Sequence, residues 1–405
     1  MQTSKMTMGH LPLEGIRVVE FTTGIVGPML GRLLAEFGAE SIKVETRKRP
    51  DFSRGATPDR INKGISFSDN SRSKKGITVN VAHPDGHRLI QKLIEISDIV
   101  VENFSAGTMS RLGLDYPRIK EINPSIIMIS LQGLGATESH SVTFGQNIPP
   151  MVGLTYLWNH SGAAKPVGSQ LFYPDYFAGI QGACAVLAAL DYRRRTGKGQ
   201  HIDAAQAEVA AALLGPYYLD SAVNGRVPEP VGNGSSVAAP HGCYRCAGVD
   251  AWCVIAVGSE EEWQSFCAVL SHPPWSLDVK FADRVSRVRN RVELNRLVEQ
   301  WTLQHEPREV MRRMQEAGVA AGVVQNIAQV ANDPHLQARG FMVEIQHPEM
   351  GRTLHAGLPM KHSATPGQVR SHAPLIGEHN NYVFQQLLGM SREEIQHLEA
   401  IGVLE

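Results

Sequence analysis

An aspartate at the start of a long helical pattern is the residue of this chain best suited to covalent chemistry. Asp175 follows the Phe-Tyr-Pro of residues 172–174. A carboxylate at a helix start can act as a cap, because it accepts hydrogen bonds from free N–H groups and meets the positive end of the helix dipole. A carboxylate held against aromatic rings at the mouth of a buried helix is also a candidate nucleophile. The residues alone leave both interpretations open.

The helix that contains Asp175 is predicted to be long and buried. Three arginines precede Gly197, which suits the negative end of the helix dipole and a glycine cap. A short strand at residues 201–203 and an Ala-rich helix at residues 204–214 are predicted to follow. The apolar residues that recur at helical spacing are Phe177, Ile180, Ala183, Cys184, Leu187 and Leu190.

Ahead of Asp175, alternating strand and helix patterns indicate an α/β domain. Residues 13–21 and 41–45 have strand patterns, and between them lies a helix pattern with Pro28 at its start and Gly38 at its end. This βαβ unit is followed by further alternation through residue 131. The pattern predicts a doubly wound, mainly parallel, Rossmann-like sheet.

Asn103 and Phe104 directly follow the predicted strand at residues 98–102. They therefore belong to the carboxyl edge of the sheet, where open α/β sheets bind ligands. The polar residues 50–70 are interpreted as a long surface loop.

The first βαβ unit resembles a dinucleotide site, which raises the alternative that the chain is an NAD-dependent oxidoreductase. Glu45 ends the second strand about 20 residues beyond the glycines, where such folds place a ribose-binding acid. The glycines stand at positions 24, 27 and 31, a spacing that differs from G-x-G-x-x-G and disfavours NAD. A βαβ unit can still hold an adenosine phosphate ester. The basic residues 47–49 either contact the phosphate groups of such an ester or form a solvated turn.

A length of 405 residues predicts two domains. The predicted divisions are 1–224, the N-terminal part of the large α/β domain; 225–328, a small α+β domain; and 329–405, a linker and a return to the large domain. The small domain opens with a glycine-rich loop containing Gly232 and Gly234. These glycines either present backbone N–H groups to an oxyanion or belong to a linker.

Composition argues against several classes of partner and cofactor. The net charge is −1 with 20% charged residues, which lacks the electrostatic pattern of a nucleic-acid or membrane protein. No apolar run approaches the ~18–20 residues of a membrane span, and residues 1–15 lack a signal peptide's apolar run, so a cytoplasmic location is expected. Cys243 and Cys246 form C-x-x-C after His241, but a second ligand pair for zinc is missing, and buried core cysteines are favoured.

Nearly the whole chain resembles the family III CoA-transferases, the group that contains formyl-CoA:oxalate and carnitine CoA-transferases. The stretch AAPHGCYRCAGVDAWCVIAVGSEEEW is most similar to the succinyl-CoA:benzylsuccinate branch. The segments that carry the family resemblance are LEGIRVVEFTTGIVGP, LLAEFGAESIKVE, VENFSAGTMSRLG, INPSIIMISLQGLG, DYFAGIQGACAVLAALDYRRRTGKGQHIDAAQAE and APLIGEHN.

The resemblance implies roles for particular residues. The family's nucleophilic aspartate falls on Asp175. This chain departs from some members at two places. A glutamine at the start of their first helix is Ile25 here, and their Lys-Tyr pair is replaced around Ser141 and Thr143. The acyl specificity of those members therefore cannot be assigned to this chain. The family's CoA contacts fall on Arg47, Lys75, Asn103, Phe104 and Arg111.

The resemblance further implies an activity and an assembly. The donor would be an acyl-CoA, with succinyl-CoA favoured, and the acceptor would be a carboxylic acid such as benzylsuccinate or another dicarboxylate. Coenzyme A would then be part of both a substrate and a product. The reaction would require no metal, nicotinamide or flavin. Two subunits would interlock as rings, with the large domain built from both chain ends, either as a homodimer or with a related subunit. Two alternatives stay open: an acyl-CoA racemase with a His/Asp acid–base pair, and a subunit of a hetero-oligomeric CoA-transferase.

Overall fold

The computed structural model describes residues 11–136, 143–160, 162, 165–169 and 171–405. The chain divides into two compact units. The first comprises Met1–Leu154, Ser169–Tyr218 and Gln337–Glu405, and the second comprises Thr155–Gly168 and Leu219–Leu336. The divisions predicted from sequence differ from these, because the second unit begins at Leu219 and also includes Thr155–Gly168.

Six parallel strands form the central sheet of the first unit, which confirms the prediction of a mainly parallel α/β fold. The strands are β1 (Arg17–Phe21), β2 (Glu40–Glu45), β3 (Lys75–Thr78), β4 (Ile99–Glu102), β5 (Ile127–Gln132) and β6 (His201–Ala205). Their spatial order is β3-β2-β1-β4-β5-β6, the order of doubly wound nucleotide-binding sheets. The direction of winding reverses between β1 and β4, and ligands bind such sheets at the carboxyl ends of the strands flanking this point.

Helices cover both faces of this sheet. Because successive strand residues point to opposite faces, Val18 packs with the helices Val26–Glu36 and Tyr173–Thr196, while Val19 packs with those at Pro84–Glu95, Tyr116–Ile122 and Arg392–Ala400. The helices up to residue 224 are α1 (Val26–Glu36), α2 (Ile65–Asn70), α3 (Pro84–Glu95), α4 (Thr108–Arg111), α5 (Tyr116–Ile122), α6 (Ile148–Met151), α7 (Leu154–Leu157), α8 (Tyr173–Thr196), α9 (Gln206–Ala212) and α10 (Gly215–Asn224). The C-terminal segment adds the hairpin β10 (Met342–His347) and β11 (Gly351–Ala356), a π-helix at Tyr382–Leu387, and α17 (Arg392–Ala400).

Helix α8 is buried through its small residues, whereas its large apolar residues point outward. A Cβ at Gly182 would lie 2.7 Å from Leu30 Cδ1, so α1 and α8 approach closely only because the side chain is missing. Phe177, Ile180 and Leu187 remain 37%, 43% and 46% exposed. Of the apolar residues predicted at helical spacing, Ala183 is buried whereas the larger side chains point outward, because close packing selects the small-residue face. The buried residues are Pro174, Asp175, Ala178, Gly179, Gly182, Ala183, Val186 and Ala189.

Residues 50–70 are only in part the surface loop that their polar composition predicts, because residues 56–60 are exposed whereas Arg54 and Phe67 are buried. Arg54 is fully buried, and its guanidinium donates to both carboxylate oxygens of Glu45 at 2.8 and 2.7 Å. The same guanidinium lies 3.7 Å from the ring centroid of Phe67 and donates to Pro374 O at 3.0 Å. The segment is therefore folded into the first unit by a paired buried charge.

The second unit is an α+β body with its own core. Its three strands form an antiparallel sheet. Cys246, Cys253 and Cys267 are buried in the apolar cluster of this unit, which is the core role expected for them. The elements are β7 (His241–Arg245), β8 (Trp252–Ala256), α11 (Glu260–Val269), α12 (Arg284–Arg289), α13 (Arg291–Thr302), α14 (Pro307–Glu316), β9 (Ala320–Val323), α15 (Ile327–Ala331) and α16 (Pro334–Ala338), the last crossing into the first unit.

Candidate functional site

A cavity of about 320 Å³ opens at the carboxyl edge of the central sheet, and we call it the Asp175 cavity. Thr23 and Gly24 line it from the connection after β1, and Asn103 and Phe104 line it from the connection after β4. These are the two strands at which the winding of the sheet reverses. The remaining lining residues are Ile25, Val26, Phe52, Ser105, Ala106, Leu131, Gln132, Gly133, Leu134, Gly135, Thr143, Phe144, Gly145, Gln146, Phe172, Asp175 and Gln206.

Asp175 is the third residue of α8, and the N-cap position is held by Phe172, whose side chain forms no capping hydrogen bond. Asp175 is 8% exposed, and in the described part of the chain no hydrogen bond or ion pair to its carboxylate is formed. Burial raises the pKa of this carboxyl to about 7. The amino end of α8 acts in the opposite direction, because its dipole favours the anion. A buried carboxylate without a partner is unsuited to capping and well suited to attack an electrophile.

Gly145 creates the space that the Asp175 carboxylate occupies. A Cβ at this position would lie 1.8 Å from Asp175 Oδ2 and 3.0 Å from Phe172 Cβ. Any other residue at position 145 would therefore displace the carboxylate. In the described residues the N–H of Gly145 also has no hydrogen-bond acceptor.

Gly145→Ala is expected to lower the turnover number by on the order of 100-fold, since a displacement of about 1 Å of a reacting group costs that much. Affinity for CoA should remain, because the change lies at the carboxylate. Steady-state kinetics and CoA titration measure the two effects. Gly322→Ala is the matched control, since a Cβ at that position would meet only Val254 Cγ2, at an ordinary contact distance of 3.5 Å. Unchanged turnover in Gly145→Ala would contradict the placement of the carboxylate.

Asn103 ties the two connections of the cavity together. Its Oδ1 accepts the Thr23 N–H at 2.8 Å, and its Nδ2 donates to Thr23 O at 2.8 Å. The Phe104 N–H donates to the buried Glu102 carboxylate at 2.9 Å. Both residues therefore shape the cavity, and the carboxamide of Asn103 is oriented by its two hydrogen bonds to Thr23.

The basic residues assigned to CoA lie outside the cavity. Arg47 follows β2 and Arg111 ends α4, so both belong to connections at the same edge of the sheet as Asp175, and both are exposed. Lys75 begins β3 and stands at the opposite, amino edge, with its ammonium 4.0 Å from the ring centroid of Tyr382. The structure therefore does not bring Lys75 together with the other assigned residues.

Gly232 and Gly234 lie in the second unit. The Gly232 N–H donates to Asn159 O at 3.2 Å and the Gly234 N–H donates to Val231 O at 3.1 Å. An oxyanion role for this loop stays a prediction that requires both bonds to open. Of the positions at which the chain departs from some family members, Ile25 and Thr143 line the Asp175 cavity, and Ser141 lies outside the described residues.

Sequence reasoning did not identify Gln132, Gln206 or Gly145 as parts of the site. Gln132 ends β5 and Gln206 follows β6 directly. The same edge rule that identified Asn103 could have identified both glutamines, because they also stand at carboxyl ends of parallel strands. Gly145 had no such signal, since it comes close to Asp175 only through tertiary packing.

The acidic residue at the end of β2 is engaged in a buried ion pair. Glu45, the candidate ribose-binding acid of an NAD site, accepts hydrogen bonds from the Arg54 guanidinium at both carboxylate oxygens. Across the described ranges, no three His, Cys, Asp or Glu side chains converge as a metal site requires. No described helix combines the length and the apolar character needed to cross a membrane.

Comparison with known proteins gives consistent matches along the chain. The model of CoA-transferase family III matches residues 13–380. The Mycobacterium tuberculosis protein named "Probable CoA-transferase Rv1866" is 32% identical over 96% of this chain, which spans only 50% of that relative's length. The succinyl-CoA–D-citramalate CoA-transferase of Chloroflexus aurantiacus is 30% identical, with 97% of this chain and 98% of the relative covered.

Two further matches concern a subunit and a solved structure. The alpha subunit of the succinyl-CoA–L-malate CoA-transferase of Chloroflexus aurantiacus is 30% identical, with 100% of this chain and 95% of the relative covered. The crystal structure of a CAIB/BAIF family protein from Brucella suis has a TM-score of 0.86 and 29% identity, with 94% of this chain and 100% of that chain covered. From the match over residues 13–380 and these relatives, the chain belongs to CoA-transferase family III.

Proposed function

We propose that this enzyme moves CoA from an acyl-CoA to a carboxylic acid through covalent intermediates on Asp175. The observation that carries the proposal is the buried Asp175 carboxylate, which has no partner among the described residues, in a cavity at the point where the winding of the sheet reverses. Nucleophilic catalysis needs a group that is accessible to substrate and not neutralised by a partner. Asp175 meets both requirements.

The reaction divides into four attacks. A carboxylate oxygen of Asp175 attacks the thioester carbon, the C–S bond breaks, and CoA thiolate leaves a mixed anhydride. The thiolate attacks the aspartyl carbonyl, which releases the donor acid and forms an aspartyl-CoA thioester. The acceptor carboxylate attacks this thioester, which forms a second anhydride and frees the thiolate. The thiolate then attacks the acceptor acyl carbon, so the new acyl-CoA leaves and the Asp175 carboxylate is restored.

The environment of Asp175 suits this sequence. Burial raises the pKa of the carboxyl to about 7, and a more basic carboxylate is the better nucleophile. Anhydride and thioester both lie above the free acid in energy, so each exchange is nearly balanced. The low polarity of the surroundings also strengthens every dipole that faces the developing oxyanion.

Succinyl-CoA is the proposed donor, with a dicarboxylate, benzylsuccinate among them, as the proposed acceptor. The support is the names of the relatives, which include succinyl-CoA CoA-transferases for D-citramalate and L-malate. Assaying CoA transfer from succinyl-CoA to a panel of mono- and dicarboxylic acids tests the proposal. The racemase alternative instead predicts exchange of the α-hydrogen for solvent deuterium without carboxylate exchange, and that result would overturn the transfer mechanism.

The exposed arginines at the carboxyl edge are the proposed contacts of the CoA phosphates. Arg111→Ala is expected to weaken CoA binding by roughly tenfold at low salt and by less at high salt, since such contacts contribute ~1.5–3 kcal/mol and are partly screened. Calorimetric titration at two ionic strengths measures this. Lys75→Ala removes a cation at the opposite edge and should leave the affinity unchanged. Equal losses in both variants, or a salt-independent loss, would contradict the placement of CoA.

Two subunits are proposed to associate through the exposed apolar face of α8. Phe177, Ile180 and Leu187 share one helix face, and each is more than one-third exposed. Leu213, Tyr217 and Tyr218 on the following segments are also exposed. Apolar side chains grouped in this way are typical of an association surface. The partner is a second copy or a related chain, since one relative is named as an alpha subunit.

Introducing charge on this face is expected to separate the subunits. The variant Ile180→Glu/Leu187→Glu should sediment as a monomer where the wild type sediments as a dimer, because two carboxylates would be desolvated at the interface. Arg195→Glu, at the exposed end of the same helix, is the control. If the wild-type chain is a monomer and is active by itself, the proposal is contradicted. If it is a monomer without activity, a related chain is favoured as the second subunit.

A further inference from the structure

An aromatic side chain stands at the open end of the Asp175 cavity. Phe52 lines this cavity and is 68% exposed, whereas Asp175 in the same cavity is 8% exposed. The ring of Phe52 lies against the backbone of Gly24, because a Cβ at that position would be 2.6 Å from Phe52 Cζ. Phe52 therefore covers the connection that follows β1 on the side that faces solvent.

Buried polar contacts hold the backbone beneath this ring. Asp51, the preceding residue, accepts the N–H groups of Gly24 and Ser53 at its Oδ1, at 3.0 and 2.9 Å. Its Oδ2 lies 2.9 Å from Nζ of Lys43, and both of these side chains are fully buried. Burial by itself raises the pKa of the Asp51 carboxyl, but Lys43 and the hydrogen bonds outweigh this effect and bring the pKa down to about 2. The Asp51 carboxylate is therefore ionised at neutral pH and fixes the position of Phe52 over Gly24.

This anchoring distinguishes Phe52 from an ordinary exposed apolar residue. Single exposed hydrophobic side chains are common on protein surfaces and require no explanation. At this position, however, a buried ion pair fixes the backbone of a side chain that remains outside the core, although burying a phenylalanine would contribute about 1.5–3 kcal/mol. The ring is therefore placed at the cavity by polar contacts and not by hydrophobic burial.

Water competes with the acceptor acid for the covalent intermediate on Asp175. If a water oxygen attacks the aspartyl-CoA thioester carbonyl, the C–S bond breaks and CoA leaves as the thiolate. The thiolate takes up one proton of the water, so the products are CoA thiol and the Asp175 carboxylic acid. No acceptor has then received CoA. Excluding water from the cavity prevents this loss of a reactive intermediate.

We propose that Phe52 keeps water from the aspartyl-CoA thioester, so that this residue determines whether an acid or water resolves the intermediate. The inference rests on the proposed transfer of CoA through Asp175. A phenyl ring suits this role because it has no hydrogen-bonding group that could hold a water molecule beside the thioester. Without the ring, the enzyme gains acyl-CoA hydrolase activity.

Hydrolysis of succinyl-CoA without an acceptor acid tests the inference. Phe52→Ala is expected to release CoA about tenfold faster than the wild type or more, because water then reaches the intermediate. Phe52→Leu keeps an apolar side chain and should give a smaller increase. Ile65→Ala is the control, since Ile65 is 84% exposed and lies outside the lining of the cavity, and it should hydrolyse succinyl-CoA at the wild-type rate. A thiol reagent measures the released CoA, and the thermal midpoints should agree because both side chains are exposed.

Water labelled with oxygen-18 identifies the bond that water attacks. Attack on the aspartyl carbonyl places the labelled oxygen in the Asp175 carboxyl group, because the C–S bond of the thioester is the one that breaks. Mass spectrometry of the peptide that contains Asp175 should therefore show faster labelling in Phe52→Ala than in the wild type. Faster release of CoA without label in this peptide would overturn the inference, because water would then hydrolyse succinyl-CoA directly.

Transfer kinetics separate this inference from the transfer mechanism. In Phe52→Ala the KM for succinyl-CoA should equal that of the wild type, and a smaller share of the CoA should reach the acceptor acid. Transfer by the wild type, together with equal rates of hydrolysis in the wild type and Phe52→Ala, would overturn the inference and leave the transfer mechanism intact. A raised KM for succinyl-CoA without faster hydrolysis would also overturn it, because Phe52 would then bind CoA. Absence of transfer by the wild type to any acid would remove the transfer mechanism and this inference with it.

Discussion

Asp175→Asn is expected to lower the turnover number by about 10⁴-fold or more, because an amide cannot form the acyl anhydride. The substitution keeps the size of the side chain, so the cavity and the affinity for CoA should remain. Steady-state kinetics with succinyl-CoA and an active acceptor measure the loss. Asp191→Asn, at an exposed position of the same helix, provides the control and should be nearly as active as the wild type.

The same variant is expected to be more stable than the wild type at pH 8. Burial raises the pKa of Asp175 to about 7 from its ordinary value of 3.8, so folding favours the protonated form. The stability that this carboxyl contributes is complete below about pH 3.8 and is lost as pH rises through 7. The loss is at most roughly 4 kcal/mol by the size of the shift, and the helix dipole makes it smaller. A capping role instead predicts a stability change of about 1 kcal/mol or less, because asparagine and aspartate cap helices about equally well.

Activity and chemical trapping complete this test. Turnover of the wild type should fall about tenfold for each pH unit below the pKa, since only the carboxylate attacks. Incubation with acyl-CoA and hydroxylamine should leave a mass change on the peptide that contains Asp175. Normal turnover of Asp175→Asn, or a trapped adduct on another residue, would remove Asp175 from the mechanism.

Arg54→Met is expected to destabilise the first unit by about 3–5 kcal/mol, because it leaves the buried Glu45 carboxylate without its cation. Glu45 has a 3% exposed side chain, and Arg54 donates to both of its oxygens. The thermal midpoint should fall by on the order of 10 °C. Differential scanning calorimetry separates this transition from that of the second unit.

The double variant Arg54→Met/Glu45→Met distinguishes the contribution of the ion pair to stability from that of the packing contacts of Arg54. Removing both charges removes the uncompensated carboxylate, so much of the lost stability should return. If the double variant is less stable than Arg54→Met, then the contacts of Arg54 with Phe67 and Pro374 carry the stability and the ion pair does not.

The sequence by itself determined the class of the fold and the centre of the site. Strands and helices have separate hydrophobic periods, so the alternation along the first 131 residues predicted the parallel sheet without tertiary information. The edge rule for parallel strands then placed Asn103 and Phe104 where the cavity is found. Asp175 was identified from its neighbours in the chain, because the aromatic residues and the helix start that surround it are local features.

Tertiary structure alone decided which side chains meet Asp175. Gly145 lies against its carboxylate and Gln206 lines the same cavity, and hydrophobic periodicity carries no information about such approaches. The orientation of α8 was also decided by packing, since a small-residue face and a large apolar face have the same period and only the fit against α1 selects between them. Arg54 was predicted to lie at the surface because composition cannot show that the buried Glu45 carboxylate pairs with it in the folded chain. Lys75 stands at the opposite edge because a strand's direction in the sheet determines which of its ends faces the cavity.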